Sequence, residues 1–160
     1  MSGSASWSFS EEDSVAMTTL LQRFLSDSNA RLALLVDRSG QLVATVGEQP
    51  TFDPTAFATL TAADFSANDQ LARLIGETEF SSLFHQGEKE SMFLADVARR
   101  VILVTLFDNR TTLGLVRLKR KDTVADLTKL FHEVFARGAP GKAQAGLLAG
   151  ADDEIDKLFG

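Results

Sequence analysis

Few side chains in this sequence have the types and spacing that catalysis or metal binding requires. The two histidines, His85 and His132, fall on different predicted elements, and neither has a second ligand three or four residues away. We interpret them as a strand-end and a helix-surface histidine. The chain has no cysteine and no G-x-S-x-G motif, so it has neither a thiol nor a serine in the usual activated turn. The sequence therefore predicts no catalytic residue, no metal site and no cofactor.

Three further motifs contain basic residues that could contact a phosphate or an acidic partner, and each has a simpler interpretation. Arg110 in the turn "DNRT" could be an arginine finger, but no neighbouring motif indicates phosphate chemistry, so we interpret it as an exposed turn residue. The stretch "GAPGKAQ" at 138–144 lacks the spacing and the Ser or Thr of a phosphate loop. The run "RLKRK" at 117–121 suits an acidic partner or a solvated edge. These patterns indicate a binding protein, not an enzyme.

Charge and hydropathy exclude several classes of partner. The formal net charge of −6 argues against nucleic acid, whose phosphates need a basic surface. No apolar run approaches the roughly 18 residues that span a bilayer, so membrane insertion is not expected. The N-terminus lacks the basic and apolar regions of a secretion signal, and the absence of cysteine suits a reducing compartment. We therefore expect a cytoplasmic protein.

The first half of the chain predicts two helices around a hairpin. Ser10 is expected to cap the first helix, after a disordered segment 1–9. "RLALLVD" and "QLVATVG" form two strands with Gly40 at their turn. Asp53 and Pro54 then begin a second helix, which should end near Gly76.

The second half predicts a strand meander and a last helix. Strands are expected around 80–86, around 91–107 with a turn near Ala98 and Arg99, and over "TLGLVRLKR" at 112–120. The run "VILVTLF" is apolar on both faces, so it should be central. Asp122 is expected to cap the last helix. The fold class is α+β: about five antiparallel strands with helices on both faces, in the order α-β-β-α-β-β-β-α.

The second helix has two different sides. An apolar stripe is expected to face the core: Phe57, Leu60, Ala63, Ala67, Leu71 and Leu74. The opposite side carries Thr55, Thr59, Ala62, Ser66, Asp69 and Arg73. Its small side chains would let another backbone approach closely, although a plain solvated face remains the alternative.

The C-terminus divides into a linker and a tail. Residues 138–151 are rich in Gly and Ala and should be a flexible linker after a domain at 10–137. In the tail, 152–160, Asp152 can cap a short helix that places Ile155, Leu158 and Phe159 on one side. Because so short a helix is marginal alone, we expect it to fold against a groove on a partner, with docking on its own domain as the alternative.

Four stretches in this order carry a family resemblance: "LVDRSGQLVATVG", "LARLIGETEF", "FHQGEKESMF" and "FDNRTTLGLVRLK". Together they resemble the roadblock-type family, in particular its bacterial MglB-like branch, over about 32–137, and the tail is similar as well. The resemblance implies a roadblock/longin-like sandwich and a homodimer with one joined sheet. It also implies a regulator that accelerates GTP hydrolysis by a small Ras-like, MglA-like GTPase without an arginine finger, in bacterial cell polarity and motility, at a cell pole.

The resemblance also implies a site on the second helix. The GTPase-facing positions would be Thr59, Ala62, Ser66, Asp69 and Arg73. The tail residues that would aid GTPase binding or nucleotide exchange are Asp152, Ile155, Leu158 and Phe159. The family often has Ala-Gly-Asn where this chain has Ala62, Ala63 and Asp64, so contacts near Asp64 and Phe65 should differ.

Two other functions fit parts of the sequence. Roadblock-type proteins also serve as dimeric scaffolds that hold GTPases without stimulating them, and unchanged GTP turnover with bound GTPase would favour that role. "LVDRSGQLV" also resembles the opening hairpin of PAS-like sensors. A sensor needs an apolar pocket with a few polar groups, whereas the dense aliphatic strands here predict a filled core.

Overall fold

A computed structural model describes residues 9–137 of the 160-residue chain. Its elements are α1 (Glu11–Ser28), β1 (Leu32–Asp37), β2 (Leu42–Gly47), α2 (Pro54–Leu74), β3 (Ser82–Gln86), β4 (Ser91–Val97), β5 (Val101–Phe107) and α3 (Leu113–Arg137). This order confirms the predicted α+β class. The predicted linker 138–151, the tail 152–160 and nearly all of the N-terminal segment 1–9 lie outside the described residues.

The five strands form one antiparallel sheet in the order β2-β1-β5-β4-β3. The apolar run "VILVTLF" is β5, and its position in the middle confirms the prediction of a central strand. The turns are also as predicted, since Gly40, Ala98 and Arg99 all have positive φ. β2 and β3 are the two edge strands, and every residue of β3 is half-buried or exposed.

Strand alternation divides the core into two layers. Leu32, Leu34 and Val36 of β1 point to the face that α2 covers, and the residues between them point to the opposite face. There α1 and α3 pack together through Met17, Leu21, Phe24, Val116, Leu127 and Phe131. α2 is thus the only described helix on its face of the sheet, and one of its sides has no described element against it.

The predicted helix caps of α1 and α2 are confirmed. Ser10 Oγ accepts a hydrogen bond from the Asp13 backbone N–H at 3.1 Å, and the Ser10 N–H donates to Asp13 Oδ2 at 2.9 Å. Asp13 Oδ1 also accepts from Arg137 at 2.5 Å, which ties the start of α1 to the end of α3. Asp53 Oδ1 accepts from the Thr55 N–H at 3.0 Å, with Pro54 as the first helical residue.

The predicted strand at 112–120 is wrong, because these residues begin α3. The helix starts at Leu113, where Thr112 Oγ1 accepts from the Leu115 N–H at 3.2 Å, so Asp122 lies inside the helix and caps nothing. The density of apolar residues between 113 and 118 is compatible with a strand as well as with a helix. Helical spacing places Val116 with Leu127 in the core, and this burial decides the conformation.

None of the three described helices has the length and hydropathy of a membrane span.

Candidate docking face on the second helix

α2 lies on the sheet mainly through small side chains, and the predicted core stripe is wrong except at Phe57, which is half-buried and packs against the core. The buried side consists of Ala58, Thr61, Ala62, Phe65, Asn68, Asp69 and Ala72. Leu60, Leu71 and Leu74, which were expected in the core, expose 69%, 59% and 82% of their surfaces. The sheet already presents large aliphatic side chains on this face, so mainly small residues allow the helix to approach closely enough to pack.

The five predicted docking positions lie along one edge of α2, with different exposure. Thr59, Ser66 and Arg73 are exposed, whereas Ala62 and Asp69 are buried within the chain. The β1–β2 turn approaches this edge, since a Cβ atom at Gly40 would stand 3.4 Å from Thr59 Cα. The positions therefore form a border between exposed helix and sheet, not an entirely open face.

A hollow beside this border, which we call the α2 hollow, brings four of the five positions together. It has a volume of about 390 Å³ and is lined by Arg38, Ala62, Phe65, Ser66, Asp69, Arg73, Glu79, Arg99 and Ile102. Arg99 lies in the β4–β5 turn, and its Nη2 is 3.8 Å from Glu79 Oε2. The hollow is thus polar and carries charges of both signs, which suits a protein surface better than an apolar ligand.

Arg38 is the centre of this site, and the sequence analysis did not identify it. Its Nη1 donates to Asp69 Oδ2 at 2.7 Å, its Nη2 donates to Asp96 Oδ1, and its Cζ lies 5.0 Å from the Phe65 ring centroid. Burial acts to lower the pKa of Arg38, but the hydrogen bonds to Asp96 and Asp69 outweigh it and raise the pKa above its usual value. Arg38 therefore stays charged and joins the β1–β2 turn to α2 and β4.

Two polar atoms of this network have no hydrogen-bond partner among the described residues. They are Arg38 Nε and Asp69 Oδ1, both shielded from solvent, and Asp69 exposes only 8% of its surface. Buried polar atoms are normally satisfied, so these two atoms leave hydrogen-bonding capacity unused within the Arg38 network. The sequence signal that could have found the site is a cation in a hairpin turn opposite a helix aspartate.

His85 links the edge strand β3 to α2. Its Nε2 lies 2.5 Å from Asp64 Oδ2, on the side of α2 that faces away from the α2 hollow. Asp64 is one of the two positions near which the sequence predicted altered contacts. The predicted interpretation of His85 as a histidine near a strand end is confirmed, and its carboxylate partner is a structural contact the sequence did not indicate.

Arg110 is held by neighbouring carboxylates. Its Nε donates to Asp108 Oδ1 at 2.9 Å and its Nη2 to Glu48 Oε2 at 3.1 Å. The bond to Asp108, followed by the bond to Glu48, raises the pKa of Arg110 well above its usual range. Its carbonyl also accepts from Asn29 Nδ2 at 2.8 Å. Arg110 is exposed at a turn, as predicted, and is anchored to its own chain.

Within residues 9–137, no cluster of three or more His, Cys, Asp or Glu side chains has the arrangement of a metal site.

Comparison with protein families identifies this fold. The family model described as Roadblock/LC7 domain matches residues 17–107. The chain belongs to the Roadblock/LC7 family. That match extends from α1 to the end of β5, so it includes the whole sheet, α2 and the α2 hollow. No curated protein is significantly similar to the chain in sequence.

Solved structures place the chain near MglB within this family. Myxococcus xanthus MglB is 44% identical, covering 73% of this chain and 95% of that chain, with a TM-score of 0.70. The gliding protein MglB from Thermus thermophilus is 29% identical, covering 79% of this chain and 96% of that chain, with a TM-score of 0.74. A Roadblock/LC7 domain from Streptomyces avermitilis shares the fold at 14% identity, with coverage of 74% and 97% and a TM-score of 0.63.

Proposed function

We propose that this chain is a homodimeric regulator of a small Ras-like GTPase of the MglA-like kind, and that it accelerates GTP hydrolysis. The observation that carries the proposal is its 44% identity to Myxococcus xanthus MglB, which spans 95% of that chain. The Thermus relative is described as a gliding protein. By the same resemblance we assign this chain a role in bacterial polarity and motility, in the cytoplasm at a cell pole.

The GTPase-docking face we propose is the border of α2 at the α2 hollow. Thr59, Ser66 and Arg73 would contact the GTPase directly, because they are exposed. Ala62 and Asp69 would form the floor, because they are buried. Short side chains at 62, 63, 66 and 67 support this proposal, since they allow a partner backbone to approach the helix closely.

The homodimer would form through the exposed leucines of α2 and the edge strand β3. Leu60, Leu71 and Leu74 give the helix an uncovered apolar side. β3 is an edge of the sheet, and an edge strand presents backbone hydrogen-bonding groups on its outer side. A second copy could cover both features at once, and one of the MglB structures similar to this chain is described as having a tetrameric arrangement.

We propose that stimulation works by reorganising the GTPase's own catalytic residues. Arg110 is a poor candidate for an arginine finger, because Asp108 and Glu48 already bind its guanidinium. A finger must leave such partners to reach the transferring phosphate, at the cost of its charge-assisted hydrogen bonds to both carboxylates.

The test is GTP hydrolysis by a cognate MglA-like GTPase with and without this protein. Ser66→Arg should abolish stimulation, because a long charged side chain would hold the GTPase off the face. Ser26→Arg, on the exposed surface of α1, is the matched control and should stimulate like the parent.

Arg110→Ala should also stimulate GTP hydrolysis fully, whereas removal of a true arginine finger would reduce the stimulated rate about a thousandfold. Equal stimulation by Ser66→Arg and the parent would refute the docking face, and GTPase binding without stimulation would favour a scaffold.

The tail belongs to the same proposal, although it lies outside the described residues. We propose that Asp152, Ile155, Leu158 and Phe159 contact the GTPase and aid its binding or nucleotide exchange. Removing residues 150–160 should then weaken binding or slow exchange, and binding and exchange equal to those of the parent would exclude this role.

A further inference from the structure

A second surface, on the opposite side of the sheet, combines positive charge with exposed apolar area. We call it the α3 basic face and define it as Arg117, Leu118, Arg120 and Lys121. The cations at 117, 120 and 121 follow helical spacing, so they lie on one side of α3. Arg117 Cζ and Arg120 Cζ stand 5.7 and 5.4 Å from the ring centroid of Phe93, so two cations share one aromatic ring.

These cations differ from most of the chain's arginines in having no acidic partner within residues 9–137. Arg31, Arg38, Arg99, Arg110 and Arg137 each form an ion pair with a carboxylate. Among the described residues, none pairs in this way with Arg117, Arg120 or Lys121, and the buried Arg120 Nε has no hydrogen-bond partner. Burial, and then repulsion from Arg117, lower the pKa of Arg120. An anionic group placed beside Arg117 and Arg120 would offset that repulsion.

The same face has an apolar component. Leu118 exposes 59% of its surface beside the cations. Phe93 pairs across the sheet with Phe84 of the edge strand β3, and Phe84 is only half-buried. A ligand for this face should therefore be both acidic and apolar, which describes an amphipathic acidic peptide better than a small anion or a nucleic acid.

We propose that the α3 basic face binds the C-terminal tail of its own chain, residues 152–160. The tail has the complementary composition, since four acids at 152, 153, 154 and 156 surround Ile155, Leu158 and Phe159. Its carboxylates would pair with Arg117, Arg120 and Lys121. Its apolar residues would cover Leu118 and the exposed edge of the Phe84 ring on β3.

The chain between them is long enough to permit this contact. α3 ends at Arg137, and at about 1.5 Å per residue Lys121 lies roughly 24 Å back along the helix. A Gly/Ala-rich chain of the length of residues 138–151 has a typical end-to-end distance of roughly 20 Å and can extend to more than twice that. The tail can therefore fold back along α3 without strain.

The docking itself does not depend on the GTPase, but its consequence rests on the proposed function. A tail bound to α3 is withheld from the GTPase, so the intramolecular contact would compete with GTPase binding and set how much tail is available. The availability of the tail to the GTPase would then be regulated, because the tail would not be permanently exposed.

The test uses the full chain without any GTPase, so its failure would leave the proposed function untouched. The chain has no cysteine, and a nitroxide can be placed at one site, Ala151→Cys. Paramagnetic relaxation of backbone amides by NMR then reports where the tail lies. We expect the strongest relaxation enhancement for amides in the first half of α3. In the Arg117→Glu/Lys121→Glu variant this enhancement should fall about tenfold, because the attraction between α3 and the acidic tail becomes repulsion.

Matched variants separate docking from a general charge effect. Lys121→Glu alone should reduce the relaxation, whereas Lys129→Glu, at an exposed lysine two turns further along α3, should not. Changing Ile155, Leu158 and Phe159 to Ser should also remove it. Relaxation that is absent from α3, or equal in Lys121→Glu and Lys129→Glu, would overturn the proposal. A mixture of copies that carry the nitroxide and copies that do not tests whether the tail binds its own chain. If relaxation arises only between different copies, the tail binds a second copy and the assignment to the same chain is overturned.

Discussion

Replacing Leu71 by alanine should weaken the proposed homodimer by one to three orders of magnitude. Leu71 exposes 59% of its surface in the single chain, and burying a whole leucine side chain gains about 1.5–3 kcal/mol. Covering the exposed part is therefore worth about 1–2 kcal/mol per subunit. Two-fold symmetry places the substitution in the interface twice, so the loss is about 2–4 kcal/mol and the dissociation constant should rise about 30- to 700-fold.

Sedimentation equilibrium over a dilution series measures this change directly. Leu118→Ala is a matched control, because Leu118 has the same exposed fraction of 59% but lies on α3, away from the proposed interface. It should leave the dissociation constant unchanged. Circular dichroism should show that both variants keep the parent's helix content. If Leu71→Ala and Leu118→Ala dissociate at the same concentration as the parent, the apolar side of α2 does not hold the dimer.

Two further predictions concern stability, measured as the free energy of unfolding in urea. Gly76→Ala should cost only about 1–2 kcal/mol of left-handed backbone strain, since nothing lies within 4 Å of the new Cβ atom. Gly47→Ala should cost clearly more, because its Cβ would also stand 2.4 Å from the Arg31 carbonyl, and equal costs would show that this contact relaxes. The Ser10 N–H, and less strongly Arg137, hold the pKa of Asp13 below 3.8, so its carboxylate stabilises the fold above that pH and loses this effect as pH falls. Asp13→Asn should therefore cost about 1 kcal/mol at pH 7 and progressively less as the pH falls below 3.8, and a pH-independent difference would contradict this charge effect.

Local signals in the sequence predicted most of the fold. Ser10, Asp53 and Pro54 mark helix starts by capping chemistry that depends only on neighbouring residues. Gly40 marks its turn because few other residues accept that backbone conformation. β5 was recognisable as central because it is apolar on both faces. Each of these features is decided within a few residues, so a single sequence contains the information.

Long-range packing decided the features that were predicted wrongly or not at all. The apolar pattern at the start of α3 fits both a strand and a helix. Only the packing of this segment against the face of the sheet that α1 covers selects the helix. The Arg38 network joins residues 31 and 58 positions apart in sequence. No local pattern relates these residues, so the centre of the α2 hollow was absent from the predicted site, although four of its lining positions were named.

The misassigned core side of α2 follows from a general limit of hydrophobic periodicity. The pattern separates larger apolar residues from small and polar ones, but the side that faces the chain's own sheet lies between the two predicted sides and consists mostly of other residues: Ala58, Thr61, Phe65, Asn68 and Ala72. Here the sheet's aliphatic residues demand a close helix, so Ala58, Ala62 and Ala72 turn inward and the leucines turn outward. A helix that places its larger apolar residues outward leaves area uncovered in the single chain. The misassigned stripe therefore supports the proposed homodimer, because in a dimer those leucines would be core residues contributed by two chains.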